Sequence, residues 1–127
     1  MKLGPEKARA KLVEALRSGK YPQTDRALRD REGYCCLGVA CDLYRKHERP
    51  DEQWKPINDR LVWEFLEETG ELPIEVRNWL GFATCGGRLL GYQGKYKTLM
   101  CLNDEGKNFE YIADAIEDGA VELKETS

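Results

Sequence analysis

Gly33-Tyr34-Cys35-Cys36-Leu37-Gly38-Val39-Ala40-Cys41-Asp42-Leu43 is the stretch whose reading decides the fold. Leu37, Ala40, Cys41 and Tyr44 recur at helical spacing, and Val39 and Leu43 fill a second face. A helix that is apolar on two faces belongs at the centre of a domain. It is predicted over 37–47, ending in the charged run Arg45-Lys46-His47-Glu48-Arg49. Upstream, Arg26-Ala27-Leu28-Arg29 alternates and Asp30-Arg31-Glu32-Gly33 has the composition of a type I turn. A small hairpin with arms at 27–29 and 34–36 is therefore expected.

Working outward, Pro5 suits a first helical turn, and Ala8, Leu12, Ala15 and Leu16 lie on one face, predicting a helix over 5–18. Pro50 and Pro56 bracket a surface loop. Leu61, Val62, Phe65 and Leu66 have helical spacing, although Trp63 and Phe65 alternating with Glu64 also suit a strand. Pro73 opens a short helix carrying Val76, Trp79 and Leu80, closed by Gly81. Residues 84–98, with Gly86, Gly87, Gly91 and Gly94 among Tyr92, Lys95 and Tyr96, read as a flexible loop or hairpin. Leu99-Met100-Cys101-Leu102 is a buried strand or helical turn. Asn103 or Asp104 is expected to cap a last helix bearing Phe109, Ile112, Ala113 and Ile116. Residues 1–4 and 120–127 are expected to fray. Taken together, 1–127 reads as one compact α+β domain with four to five short helices and a small antiparallel sheet or hairpins.

Bulk composition narrows the function. A chain of 127 residues can bury roughly two-thirds of its unfolded surface in a single core. With 41% apolar and 34% charged residues it has a globular composition. A net charge of −3 opposes general nucleic-acid binding but allows a local Arg cluster to take a small anion. No apolar run approaches the ~20 residues of a membrane span, and the N-terminus has no hydrophobic signal region, so a cytoplasmic location is expected. Cys35, Cys36, Cys41, Cys85 and Cys101 are odd in number and are read as reduced core residues.

The chemistry-bearing candidates surround the quoted stretch. Gly33 and Gly38 flank a Cys pair at a strand-to-helix junction, where free amides favour an anion. Arg26 and Arg29 lie close in sequence and complete a phosphate or carboxylate cradle if they share its face. The competing reading makes Gly38 a close-packing position and the thiols small core groups. Tyr21, Tyr34 and Trp79 are candidates to stack a base, and Asn103 and Asp104 to accept ribose hydroxyls. His47 is the single histidine and the cysteines lack CxxC spacing, so neither a zinc site, a Cys–His pair nor a serine triad is assembled. No catalytic residue, metal or cofactor is assigned. The predicted ligand-binding set is Arg26, Arg29, Tyr34, Cys35, Trp79, Asn103 and Asp104.

Three motifs in order resemble a family of small bacteriophage proteins. They are residues 34–43 as quoted; Leu72-Pro73 with Val76, Trp79, Leu80 and Gly81; and Leu102-Asn103-Asp104 with Gly106, Phe109, Ile112, Ala113 and Asp114. The resemblance spans about residues 21–117 and implies a phage origin, acting in the host cytoplasm, more directly than an activity. By analogy with phage sponges it implies sequestration of a cyclic-nucleotide or ADP-ribose type immune signal without turnover, in a homodimer or larger assembly. Two rivals stand beside it. One is a protein–protein inhibitor of a host enzyme using Glu67, Glu68 and Glu71; the other is a nucleotide-modifying or nucleotide-cleaving enzyme dependent on Cys35 or Cys36.

Overall fold

Nine consecutive residues, Cys36 to Tyr44, are buried in the helix α2 (Cys36–Glu48), and they place it at the centre of the molecule. The computed structural model describes residues 3–91 and 97–125. Around α2 pack α1 (Pro5–Arg17), α3 (Ile74–Leu80) and α4 (Leu99–Asp104), while α5 (Phe109–Glu117) lies along α1. The core joins Leu12 and Leu16 of α1, Leu37 and Val39 of α2, Val76 and Leu80 of α3, and Ile112 of α5. This is an α+β domain of five helices and one small sheet among the described residues.

The sheet has β1 (Arg29–Asp30) and β2 (Lys55–Ile57) on either side of β3 (Val62–Glu64), all antiparallel. Arg29 faces Trp63 across one ladder and Pro56 faces Trp63 across the other. The helical spacing of 61–66 is thus overruled by its alternation. Strands on both sides satisfy the backbone of β3, which an isolated helical turn would not achieve at that length. A tight reversal at Asn58, Asp59 and Arg60, all left-handed (φ 50°, 55° and 66°), feeds β3 back along β2.

The expected hairpin of 27–29 with 34–36 reduces to one bridge between Arg29 and Tyr34. Its turn forms as read: Asp30 accepts the Glu32 and Gly33 amides at 2.8 and 3.2 Å. The arms do not extend because each has another partner. Arg29 and Asp30 pair with β3, while Tyr34 donates its N–H to Pro22 and accepts from Thr24. Gly38 settles how α2 meets this region. A methyl added there would lie 1.8 Å from the Leu28 carbonyl oxygen, so helix backbone rests directly on extended backbone.

α1 and α3 form where periodicity placed them, with Pro5 in the first turn of α1 and Gly81 left-handed (φ 73°) after α3. Two terminal expectations are corrected. Asn108, not Asn103 or Asp104, caps α5 by accepting the Tyr111 amide at 2.9 Å. The tail does not fray over 120–125: Val121 is 3% exposed and bridges Leu89, and backbone bonds join Ala83 to Glu122 and Lys124 to Gly81. The cause is the edge offered by residues 82–90, on which an alternating tail can pair. At the other end, the Leu3 amide donates to Glu48 and the Gly4 carbonyl accepts from Ala8. Within the glycine-rich segment, Arg88 bridges Thr98 and Leu89 donates to Lys97. The expectations for Tyr92, Gly94, Lys95 and Tyr96 lie outside the described residues.

Gly38→Ala is expected to lower unfolding free energy by about 3 kcal/mol, since backbone rather than a movable side chain blocks the methyl. Gly70→Ala, with no atom within 4 Å, should change it by less than about 0.5 kcal/mol. Urea denaturation of the two variants checks the contrast.

Candidate functional site

The junction at 33–38 is closed by a side chain from the far end of the chain. Asn103 Oδ1 accepts the Cys36 amide at 3.0 Å and the Gln23 side-chain amide at 3.1 Å, and Asn103 Nδ2 donates to the Thr24 carbonyl at 2.7 Å. Asp104 accepts the backbone N–H of Arg26 at 2.8 Å, holding Arg26 in a left-handed conformation (φ 65°). Cys35, Cys36 and Asn103 are all buried. The open amide cradle expected here is therefore a sealed staple: Asn103 and Asp104 hold residues 23–26 and the start of α2 against α4, and the competing reading of Gly38 and the thiols holds. Arg26 is exposed and does not line the cleft described below.

Burial pushes the Cys35 thiol up to about 11, against the opposing pull of the Gly38 and Leu37 amides. Burial raises Cys36 and Cys41 well above the ordinary thiol value too. All three are protonated at neutral pH and poorly suited to nucleophilic attack. Trp79 lies elsewhere. Its ring packs against Tyr44 and stacks with His47, with centroids at 5.6 and 6.3 Å, so along α2 it sits about 13 Å beyond Cys35.

Arg29 and Tyr34 do come together, in a cleft the sequence reading did not outline. A cavity of about 440 Å³ is lined by Arg29 and Tyr34, by Asp42, Arg45 and Lys46 of α2, and by Glu52, Gln53 and Trp54. The Arg29 guanidinium carbon lies 5.3, 5.6 and 4.9 Å from the ring centres of Tyr34, Trp54 and Trp63. β1 and β3 set this contact by placing Arg29 opposite Trp63. Among the described residues nothing accepts a hydrogen bond from that guanidinium. Its planar fork of N–H donors suits a phosphate or carboxylate. Tyr34 meets Tyr21 edge-on at 5.0 Å and Trp54 at 5.9 Å, which fixes the aromatic wall.

Asp42 forms the floor. It is 4% exposed and accepts from Tyr21 Oη at 2.6 Å, Trp54 Nε1 at 3.1 Å and Arg45 Nε at 3.1 Å, with Lys46 Nζ at 3.4 Å. Burial by itself would raise its pKa. The Tyr21 and Trp54 hydrogen bonds and the charges of Arg45 and Lys46 outweigh that and hold it below the ordinary carboxylate value. The same bond, with burial as the larger cause, raises the Tyr21 hydroxyl. Asp42, Arg45, Lys46 and Trp54 escaped the sequence reading. One signal was available: an acid in the middle of the apolar face of a central helix, with cations at i+3 and i+4, marks a buried charge hub.

Because its folded pKa is depressed, Asp42 stabilises the protein above the ordinary carboxylate range, and that contribution is lost as pH falls through the folded value. Asp42→Asn should cost about 2 kcal/mol at neutral pH and should flatten the loss of stability below about pH 4, measured by denaturation across pH. Iodoacetamide should leave Cys35, Cys36 and Cys41 unmodified in the folded protein near neutral pH and label them after unfolding, as followed by intact-mass analysis.

A family model described as a domain of unknown function, DUF8296, matches residues 5–120. No curated protein and no solved structure matches the chain. The matched span holds all five helices, the three strands and every residue lining the cleft. With nearly its whole length inside that match, the chain belongs to the DUF8296 family.

Proposed function

We propose that the protein binds and withholds a small nucleotide-type anion in the cleft between Arg29, Trp54 and α2, without turning it over. Arg29 carries the reading: a guanidinium held among three aromatic rings, with a donor edge that has no acceptor among the described residues. Such a group gains from an anion that reaches it, because its fork of N–H donors then finds the acceptor and the counter-charge it lacks among the described residues. The flanking rings supply the stacking surface that a nucleobase needs, at roughly 1–3 kcal/mol per stacked base. A cleft of about 440 Å³ lies within the size range of small-molecule sites.

Retention without chemistry is favoured by the state of the reactive groups. Asp42, the acid at the floor, is occupied by four donors and kept ionised, which leaves it little capacity as a base. Cys35 and Cys36 are buried, protonated and outside the cleft lining, so a thiol mechanism has no nucleophile there. Asn103 and Asp104 support this reading as framework, and Trp79 as core. The resemblance to small bacteriophage proteins supports sequestration of a host signal as the purpose.

Native mass spectrometry and calorimetry with AMP, cyclic di-AMP and ADP-ribose test the proposal. At least one should be retained and recovered with unchanged mass. Arg29→Lys, which keeps the charge and loses the fork, should weaken binding about 10-fold with an unaltered circular dichroism spectrum. Absence of retention across all three nucleotides sinks the reading.

A further inference from the structure

We infer that the ligand of this cleft presents two negative charges, a statement that rests on the cleft being the ligand site. Three cations line it: Arg29, Arg45 and Lys46. Asp42 neutralises one of them, being 3.1 Å from Arg45 Nη2 and 3.4 Å from Lys46 Nζ. Glu52 also lines the wall, but its charge is answered from outside the cavity by Arg49 Nη2 at 3.4 Å. Gln53, Tyr34 and Trp54 carry no charge at neutral pH. The surplus is two positive charges, one at Arg29 with no carboxylate partner among the described residues and one shared by Arg45 and Lys46 around Asp42.

Placement turns this count into a selectivity. Asp42 is buried and its carboxylate is gripped by two aromatic-side donors as well as the two cations, so it stays ionised and stays in place when a ligand enters. A singly charged ligand leaves one cation unanswered. A ligand with three or four charges finds no third unanswered cation and brings its surplus anionic oxygens toward the Asp42 carboxylate, where like charges repel. Two charges are met equally by one ionised phosphomonoester seated on Arg29 or by two phosphodiesters spread between Arg29 and the Arg45–Lys46 pair. The shared chemistry is a doubly anionic phosphate ligand with a stackable base.

Calorimetric titration at about pH 8, where a phosphomonoester is fully ionised, and without divalent cations, tests the count. Cyclic AMP supplies one charge, AMP two on a monoester, cyclic di-AMP two on separate diesters, and ATP more. AMP or cyclic di-AMP should bind about 10-fold tighter than both cyclic AMP and ATP. Which of those two is tighter separates the monoester from the paired diesters. Lys46→Gln lowers the surplus to one and should move the preference toward cyclic AMP, with folding checked by thermal melting. Affinity that climbs steadily from cyclic AMP to ATP overturns the two-charge inference while leaving the cleft as the site. If no member of the series binds, the inference and the site assignment fall together.

Discussion

The contact between Gly38 and the Leu28 carbonyl is the closest constraint on the architecture, because it brings helix backbone onto extended backbone with no side chain between. At that separation the axis of α2 and the path of β1 are set relative to each other. Arg29 follows Leu28 and enters β1, so its side chain meets the rings of Tyr34, Trp54 and Trp63. On the helix side, Asp42 lies one turn beyond Gly38 and faces the same opening with Arg45 and Lys46. A residue with a Cβ at position 38 would push these two walls apart.

Two polar side chains then lock what that contact brings together. Asn103 uses its carbonyl on the Cys36 and Gln23 N–H groups and its amide on Thr24, bonds that secure the first turn of α2 and the 23–24 segment at once. Asp42 gathers Tyr21, Trp54, Arg45 and Lys46 and so fixes the segment between α2 and β2 against the helix. Both are buried and both are fully engaged, as buried polar groups must be to avoid their desolvation penalty. Their effects differ. Asn103 closes a surface that sequence spacing suggested would be open, whereas Asp42 holds a surface open by keeping Trp54 at its rim.

The result is a division of labour along α2. Its first turn is spent on packing: thiols inside, amides satisfied, glycine against backbone. Its middle carries the charged hub, and its last turns meet Trp79 and Leu3, just before α1. Arg29, on the wall beside that hub, has aromatic neighbours and no acceptor among the described residues. An unanswered charge on the wall of a cleft is the feature on which the functional reading turns.

What could be read from the residues in order was whatever depends on near neighbours. Pro5 and the Ala8–Leu12–Leu16 stripe specify α1, the doubly apolar run specifies α2 as central, and Pro73 with Gly81 bounds α3. Each rests on backbone sterics or a period of 3.6 residues, which operate within one or two turns. Arg29 and Tyr34, an Arg and an aromatic on either side of a turn, could be singled out locally, and the structure brings them together on one cleft wall. Tertiary structure decided the rest. Asn103 meets the Cys36 amide 67 residues away, and Arg29 finds Trp63 only because β3 runs between β1 and β2. No local period encodes such pairings: they follow from which strands and helices pack together, and side-chain partners are chosen after that packing is set.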